Sequence, residues 1–279
     1  MKSPNPFNPC SNIVLIPKKR RLQRLSLQAH QVSPTLQIAS QIALTPDQKH
    51  YLCNVLRLEI GAEFIAIDRH SGWWLAKLSS NPDIAEVIAK LENDSELAAE
   101  IILGIAMPKG SNIELVIRQT TELGVRQIAP LFSDRTTLKA GTEIGKQKRD
   151  RWQRIAEEAA ELSMRSYIPE LNAPQTFTAW LDDLAKSPSP ILKYICVTTP
   201  DAKHLLNSLE VAKNTLTNWE NLQIAIAIGC EGGWTTREEQ MAIASGFIPV
   251  SLGDRVLSAV TAPVVALAII AAFLDQHKF

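Results

Sequence analysis

The pattern of apolar and polar positions changes near residue 95. Between residues 22 and 91, short apolar or alternating runs are separated by Gly, Ser-Gly and Asn-Pro, which is typical of β-strands joined by tight turns. Strands are predicted at 36–39, 64–67 and 73–78, and a helix at 46–57. This part of the chain therefore predicts a small β-barrel.

After residue 95, apolar runs alternate with amphipathic segments. The predicted strands are 101–106, 128–132, 191–197, 224–228 and 247–251. The predicted helices are 113–123, 148–162, 202–211, 236–244 and 263–274. Such alternation predicts an α/β domain with a mostly parallel sheet covered on both faces.

Three segments are predicted from these changes. Residues 1–20 are rich in Pro, Asn and Ser and turn basic toward their end, so we expect a disordered lead-in. Residues 21–95 form the small β-barrel. Residues 96–279 form the α/β domain.

Composition restricts the possible partners. Lys plus Arg equals Asp plus Glu at 29 each, so overall charge does not predict a polyanionic partner, and any nucleic-acid interaction must depend on local charge. The 4 cysteines are widely separated, which predicts neither a metal site nor a disulfide framework and indicates a reducing, cytoplasmic setting.

The apolar run at 256–274 approaches the roughly 20 residues that a membrane-spanning helix needs. Ser258, Thr261 and Pro263 interrupt it, and proline is favoured in the first turn of a helix. A loop followed by a buried helix explains the run, and no secretory signal precedes the chain's first strands. We expect no membrane span.

Two apolar runs end in glycine-bearing turns. The run 224–228 is followed by Gly-Cys-Glu-Gly-Gly at 229–233, and the run 247–251 by Leu-Gly-Asp-Arg-Val-Leu at 252–257. Glycine lets backbone amides approach a ligand closely, and open α/β sheets bind ligands at the carboxyl ends of their strands. These turns match neither the dinucleotide fingerprint nor the P-loop. From spacing alone, a ligand site and a tight strand-to-helix connection are equally supported.

The same turns carry a family resemblance. Together with Met107-Pro108-Lys109-Gly110, Thr121-Glu122-Leu123-Gly124-Val125 and Pro130-Leu131-Phe132-Ser133-Asp134-Arg135, they resemble the bacterial and plastid-type ribosomal RNA uridine-N3 methyltransferases of the SPOUT superfamily. The resemblance implies an N-terminal PUA-like RNA-binding barrel and a C-terminal domain with a trefoil knot. It also implies S-adenosylmethionine as cofactor, a homodimer, and methylation of uridine N3 in small-subunit (16S) ribosomal RNA.

The resemblance also assigns the two turns to the cofactor. The expected cofactor-binding residues are Ile228, Gly229, Glu231, Gly232, Gly233, Leu252, Gly253, Val256 and Leu257. The helix at 263–274 is apolar on every side, as a helix that is buried in its own domain and in a dimer interface would be.

Methylation of N3 requires a group that removes its proton and a cation that stabilises charge on the neighbouring carbonyl oxygens. Glu231 or Glu161 could take the proton, and Arg165 or Arg255 could supply the cation. The alternative for Glu231 is a carboxylate that accepts backbone amides at a helix N-terminus. Glu231, Arg165 and Arg255 are the predicted catalytic residues.

Local charge indicates where RNA would bind. Residues 135–154 hold seven basic and two acidic residues, an excess of five positive charges that includes Arg135 and Arg149. Such charges supply phosphate contacts, although a solvated helix face is the alternative. Lys109 is a further predicted contact. His50 and Arg57 are predicted to share a polar helix face in the barrel and to form a secondary RNA contact.

The chain departs from the family pattern at three places. Cys230 replaces a proline in the glycine turn, Leu162 replaces a glutamine, and 258–262 reads Ser-Ala-Val-Thr-Ala where the family has Arg-Thr-Glu-Thr-Ala. Two alternatives to the enzyme follow. One is a catalytically impaired homologue that acts as an RNA-binding or ribosome-assembly protein, and the other is an active enzyme with a different target nucleotide.

Overall fold

The computed structural model describes residues 13–14, 22–32, 36–68, 72–91, 96–139, 141–142, 144–216 and 222–277. The chain divides into two compact units, of which the first ends at Ser95 and the second begins at Glu96.

The first unit is a 6-stranded sheet with the strand order β1-β6-β5-β4-β2, and β3 pairs with β6. The strands are β1 (Ile13–Val14), β2 (Arg24–Ser26), β3 (Gln41–Ala43), β4 (Glu63–Ile67), β5 (Trp73–Leu78) and β6 (Ile84–Leu91). The sheet curls around a core that includes Phe64, Trp74 and Val87. The prediction of a small, curled β unit is confirmed.

Two local predictions in this unit differ from the structure. Residues 36–39 do not form the predicted strand: a turn lies at 38–39, where Ala39 adopts a left-handed conformation with a φ of 70°, and the strand begins only at Gln41. Within the segment 1–20, which was predicted to be disordered, Ile13–Val14 pairs with the end of β6. The remainder of that segment lies outside the described residues.

The predicted helix of this unit begins at Pro46 as expected but ends sooner. Helix α1 (Pro46–Lys49) has a capping box between Thr45 and Gln48. It continues as a wider turn through His50–Val55, in which the Leu56 amide donates to the Tyr51 carbonyl. The widening changes which residues share a face.

The second unit contains an 8-stranded sheet in which every pairing is parallel. Its strands are β7 (Glu100–Ala106), β8 (Val125–Phe132), β9 (Glu170–Leu171), β10 (Gln175–Thr176), β11 (Ile191–Cys196), β12 (Lys203–His204), β13 (Gln223–Ile228) and β14 (Ile248–Ser251). The order is β10-β8-β7-β13-β11-β14-β12, and β9 pairs with β8. Its helices are α2 (Asn112–Glu122), α3 (Lys146–Leu162), α4 (Phe177–Ala185), α5 (Leu205–Thr215), α6 (Thr236–Ala244) and α7 (Thr261–Gln276).

Both faces of this sheet are buried. Along β13, Ile224, Ile226 and Ile228 pack into one core, while Ala225 and Ala227 pack into the other. Side chains of α2, α3, α5 and α7 cover the first face, and those of α4 and α6 cover the second. This confirms the predicted parallel sheet with helices on both faces, because strand side chains alternate between faces.

Helix α4 was missed by the sequence analysis. Its Trp180 packs against β7 at Gly104, where a built Cβ would come within 2.4 Å of the indole ring. The strands before α4, β9 and β10, have 2 residues each, which is too short for a periodic pattern.

Helix α7 has one buried face and one exposed face. Ala266, Leu267, Ile270 and Phe273 are buried, whereas Ala268 and Ala272 are exposed. Among the described residues, no helix has both the length and the apolar character needed to cross a membrane.

Candidate functional site

A cleft of about 220 Å³ lies where β11, β13 and β14 end. These carboxyl ends meet because β11 pairs with β13 on one side and with β14 on the other. All of the residues that were predicted to bind the cofactor line this cleft: Ile228, Gly229, Glu231, Gly232, Gly233, Leu252, Gly253, Val256 and Leu257. The turns at 229–233 and 252–257 thus form one site together with the end of β11.

The turn at residues 229–233, called the glycine turn below, folds back on itself. A Cβ built on Gly229 would lie 3.0 Å from the Gly233 Cα and 3.1 Å from its carbonyl carbon. Gly233 has a φ of 69°, and its amide donates to the Cys230 carbonyl at 2.8 Å. Both positions favour glycine, because a Cβ on Gly229 would press on the Gly233 backbone and Gly233 itself has a left-handed backbone.

The segment after β14 is held by the side chain of Ser251, the last residue of that strand. The Gly253 amide donates to the Ser251 hydroxyl at 3.0 Å, and Gly253 has a φ of 111°. Beyond it, Arg255 and Val256 are exposed at the cleft. Arg255, a predicted catalytic residue, therefore lies beside the predicted cofactor turn.

Glu231 lies at the cleft and contacts a third segment. Its Oε1 accepts the backbone amide of Lys109 at 3.0 Å, and Lys109 precedes α2 by three residues. The predicted alternative for Glu231 was a carboxylate that accepts backbone amides at a helix N-terminus, whereas the amide it accepts belongs to the loop before α2 and not to the first turn of that helix. The structure brings Glu231, Lys109 and Arg255 to one region of the second unit.

Arg165, the third predicted catalytic residue, is not among the residues that line the cleft. Only 3% of its side chain is exposed. Its Nη1 donates to the carbonyls of Thr121 at 3.0 Å and Val125 at 2.7 Å, and its Nη2 donates to the Glu96 carboxylate at 2.7 Å. The guanidinium therefore links the end of α2, the start of β8 and the segment at Glu96. Arg165 occupies a structural position.

Arg149 is exposed on α3, as a phosphate contact would require. A groove between α2 and α3 is lined by four other basic residues: Arg118, Lys148, Arg151 and Arg154. Two of these arginines have acidic partners, Arg151 with Glu114 at 2.8 Å and Arg118 with Glu158 at 3.8 Å.

The predicted shared helix face of His50 and Arg57 is wrong. Both side chains are exposed, but the helix ends at Val55, and Arg57 follows it with a left-handed φ of 54°. The seven-residue spacing predicts a common face only in a regular α-helix, and the wider turn breaks that regularity.

Cys196, Val197 and Thr198 at the end of β11 also line the cleft, and the sequence analysis missed them. Burial raises the pKa of the Cys196 thiol well above its usual range, so this thiol stays protonated at neutral pH. The rule that ligands bind at the carboxyl ends of parallel strands could have identified these residues.

The segment that departs most from the family pattern, residues 258–262, leads into helix α7, which starts at Thr261. The Ser258 hydroxyl accepts the Thr261 amide at 3.1 Å, and Val260 packs against the main core. Ala259 and Ala262 line the cleft. Ala259 stands where the family has threonine, and Ala262 matches the family's alanine. Ser258 and Val260, where the family has arginine and glutamate, are not among the residues that line the cleft.

In the described part of the chain, no cluster of three or more His, Cys, Asp or Glu side chains could hold a metal ion.

Comparison with known families agrees with this architecture. A family model described as an RNA methyltransferase domain matches residues 95–271, and one described as an RNA methyltransferase PUA domain matches residues 44–90. The fold and the cleft define an α/β RNA methyltransferase of the SPOUT type with a PUA-like N-terminal unit.

Similar proteins narrow the class to one family. The chain is 42% identical over 246 residues to the ribosomal RNA small subunit methyltransferase E of Synechocystis, which covers 88% of this chain and 77% of that protein. The Bacillus subtilis protein of the same name is 26% identical and covers 83% of this chain and 90% of its own length. The chain belongs to the ribosomal RNA small subunit methyltransferase E family.

Two solved structures share the fold and hold a cofactor. A ribosomal RNA small subunit methyltransferase E from Neisseria gonorrhoeae bound to S-adenosylmethionine has a TM-score of 0.73 and 27% identity, covering 90% of this chain and 98% of that one. A putative methyltransferase from Legionella pneumophila in complex with the same cofactor has a TM-score of 0.73 and 26% identity, covering 91% and 98%.

Proposed function

We propose that this protein methylates N3 of a uridine in small-subunit ribosomal RNA with S-adenosylmethionine as the methyl donor. The observation that carries the proposal is the convergence of both predicted turns on one cleft at the strand ends. Residues 21–95 would contribute an RNA-binding domain, and residues 96–279 the domain that transfers the methyl group. The names of the relatives support ribosomal RNA as the substrate, and cytoplasmic action is proposed with it.

The cleft suits S-adenosylmethionine. Gly229 and Gly233 carry no side chains, so the backbone amides and carbonyls at the two ends of the turn can contact the polar parts of the cofactor. Ile228, Leu252 and Leu257 supply apolar walls for an adenine ring. The bound cofactor supplies an electrophilic methyl group on a sulfonium centre.

The residues at the cleft can carry out the proton transfer. The Lys109 amide holds one carboxylate oxygen of Glu231, which orients the carboxylate to accept the N3 proton as the N–C bond forms. The guanidinium of Arg255, exposed at the same cleft, would stabilise negative charge on the flanking carbonyl oxygens of the base.

RNA would be held by positive charge at the surface. Arg149 on α3 and Lys109 beside Glu231 are exposed and fit phosphate contacts, which position the RNA without reading its sequence. His50 and Arg57 would each contact RNA from the first unit as separate residues. Arg135, the remaining predicted phosphate contact, bonds to the carbonyls of Gly232 and Trp234.

The enzyme activity is tested by transfer of labelled methyl from S-adenosylmethionine to small ribosomal subunits that lack the modification. We expect label at one uridine, located by a reverse-transcription stop. Glu231→Gln should lower kcat by about 100-fold or more while cofactor affinity stays within about threefold, because glutamine keeps an oxygen that can accept the Lys109 amide but cannot take the N3 proton.

Each alternative predicts a different outcome of this assay. A catalytically impaired homologue would bind RNA but transfer no label, and an enzyme with another target would place the label at a different nucleotide. Full turnover by Glu231→Gln would remove Glu231 as the base.

We also propose that the chain forms a homodimer and that the segments after β13 and β14 thread the family's trefoil knot. The exposed face of α7 supports the dimer, because Ala268 and Ala272 present small apolar side chains where a soluble surface helix usually carries charge. A second copy packing on this face would bury it.

The dimer is tested by placing a charge on this face. Ala268→Glu is expected to convert a dimer into monomers by light scattering at micromolar concentration, because an unpaired carboxylate in an apolar interface is strongly unfavourable. Ala185→Glu at the exposed end of α4 is the matched control and should leave the dimer intact. A dimer that survives Ala268→Glu would place the interface elsewhere.

A further inference from the structure

The loop that follows β8 is bonded directly to the glycine turn and the start of α6. The Asp134 amide donates to Glu238 Oε1 at 2.8 Å, and the Thr235 hydroxyl donates to Asp134 Oδ2 at 3.1 Å. Between these contacts, Arg135 Nη1 donates to the carbonyls of Gly232 at 2.6 Å and Trp234 at 2.9 Å. The same guanidinium nitrogen thus bonds to Gly232, inside the glycine turn, and to Trp234, directly after it.

The stem of Arg135 also packs against the turn. A Cβ built on Gly232 would lie 3.2 Å from both Cβ and Cδ of Arg135, closer than most Cβ contacts in proteins. Gly232 has no left-handed φ that would by itself require glycine. A side chain at residue 232 would compete for the space that the Arg135 stem occupies, and glycine at this position avoids that conflict.

These contacts assign a specific task to Arg135. We propose that Arg135 is a positioning residue that fixes the Gly232 and Trp234 carbonyls, and through them the backbone that holds S-adenosylmethionine. The inference rests on the proposed function and deepens it. It differs from the predicted role of Arg135 as a phosphate contact, because the bonds of Nη1 are directed to the turn.

A charge-assisted hydrogen bond is stronger than a neutral one, and a ligand site loses affinity when its backbone is not fixed before binding. Loss of Arg135 should therefore weaken the cofactor complex without changing the chemical step. In kinetic terms, KM for S-adenosylmethionine should rise while kcat at saturating cofactor stays close to that of the wild type.

The first test compares Arg135→Met with the wild type by calorimetry, with S-adenosylmethionine and without RNA. Methionine keeps an unbranched stem on Gly232 but has no donor. We expect cofactor affinity to fall about 10-fold, with RNA affinity within about twofold and an unchanged salt dependence of RNA binding. Arg135→Lys, which restores a cationic donor, should recover part of the affinity.

The matched control is Arg237→Met. Arg237 is an exposed arginine in the first turn of α6, close to the same loop. Arg237→Met should leave cofactor affinity unchanged. The comparison distinguishes a general loss of positive charge from loss of the Arg135 contacts. Thermal unfolding of each variant verifies that the proteins compared are folded.

A double-mutant cycle tests the contact itself. Gly232→Ala adds a methyl group against the Arg135 stem, and Arg135→Ala removes the atoms that it meets. If Arg135 acts through the turn, Gly232→Ala should weaken cofactor binding more in the wild-type background than with Arg135→Ala. Equal losses in the two backgrounds would contradict the inference.

The outcomes separate this inference from the proposed function. Wild-type protein that binds no S-adenosylmethionine would overturn the proposed function. Wild-type protein that binds it, with Arg135→Met binding equally well, would overturn only the role of Arg135. Loss of RNA affinity with unchanged cofactor affinity would return Arg135 to the phosphate contacts.

Discussion

Gly229→Ala is expected to weaken binding of S-adenosylmethionine by about 10-fold or more and to lower kcat/KM for methyl transfer by at least the same factor, about 10-fold. The added Cβ would lie 3.0 and 3.1 Å from two backbone atoms of Gly233, and a backbone contact cannot be relieved by moving a flexible side chain. The backbone of the glycine turn must then shift, which displaces the amides and carbonyls that line the cleft.

Calorimetry with S-adenosylmethionine and the methyl-transfer assay measure the two effects. Gly145→Ala is the matched control, because a Cβ built on Gly145 meets nothing within 4 Å and the residue lies at the N-cap of α3. It should bind the cofactor as the wild type does. If Gly229→Ala also bound normally, the tight packing of the glycine turn would not be needed for the site.

Arg165→Met is expected to lower the free energy of unfolding by about 3 kcal/mol, the lower end of the range for breaking a buried ion pair from one side. The Glu96 carboxylate would lose its cationic partner, and the carbonyls of Thr121 and Val125 would lose their donor. Glu96 Oε1 would still accept the amides of Ser166 and Tyr167.

Denaturant unfolding followed by circular dichroism measures this loss. Arg118→Met is the matched control, because its pair with Glu158 is exposed and 3.8 Å long, and such pairs contribute about 0.5 kcal/mol. Folded Arg165→Met protein should transfer methyl groups at a rate within about threefold of the wild type. Unchanged stability combined with lost transfer would instead restore Arg165 as a catalytic residue.

The difference between Arg165 and Glu231 shows how far motif position predicts a role. Both residues were predicted to be catalytic, but only Glu231 follows a strand end and lies at the cleft. Arg165 follows α3, next to Met164 with its left-handed φ of 62°, and turns into the fold toward Glu96. Its partner is 69 residues away, so no local pattern could identify it.

The sequence by itself determined the alternation of strands and helices in the second unit, the change of pattern near residue 95 and the two turns at 229–233 and 252–257. These features depend on side-chain periodicity and on glycine, which act over a few residues and are therefore visible in the chain. Helix α6 (Thr236–Ala244) is the clearest case, because its capping box at Thr235 fixes its start.

Tertiary structure decided which of these segments meet. It placed β11 between β13 and β14, so that Thr198 lines the cleft. It also brought the Arg135 guanidinium into hydrogen-bonding distance of the glycine turn. It also widened the helix before Arg57, against the regular spacing. Contacts between residues far apart in sequence are chosen by packing and hydrogen bonding of the whole domain, and local propensity carries no record of that choice.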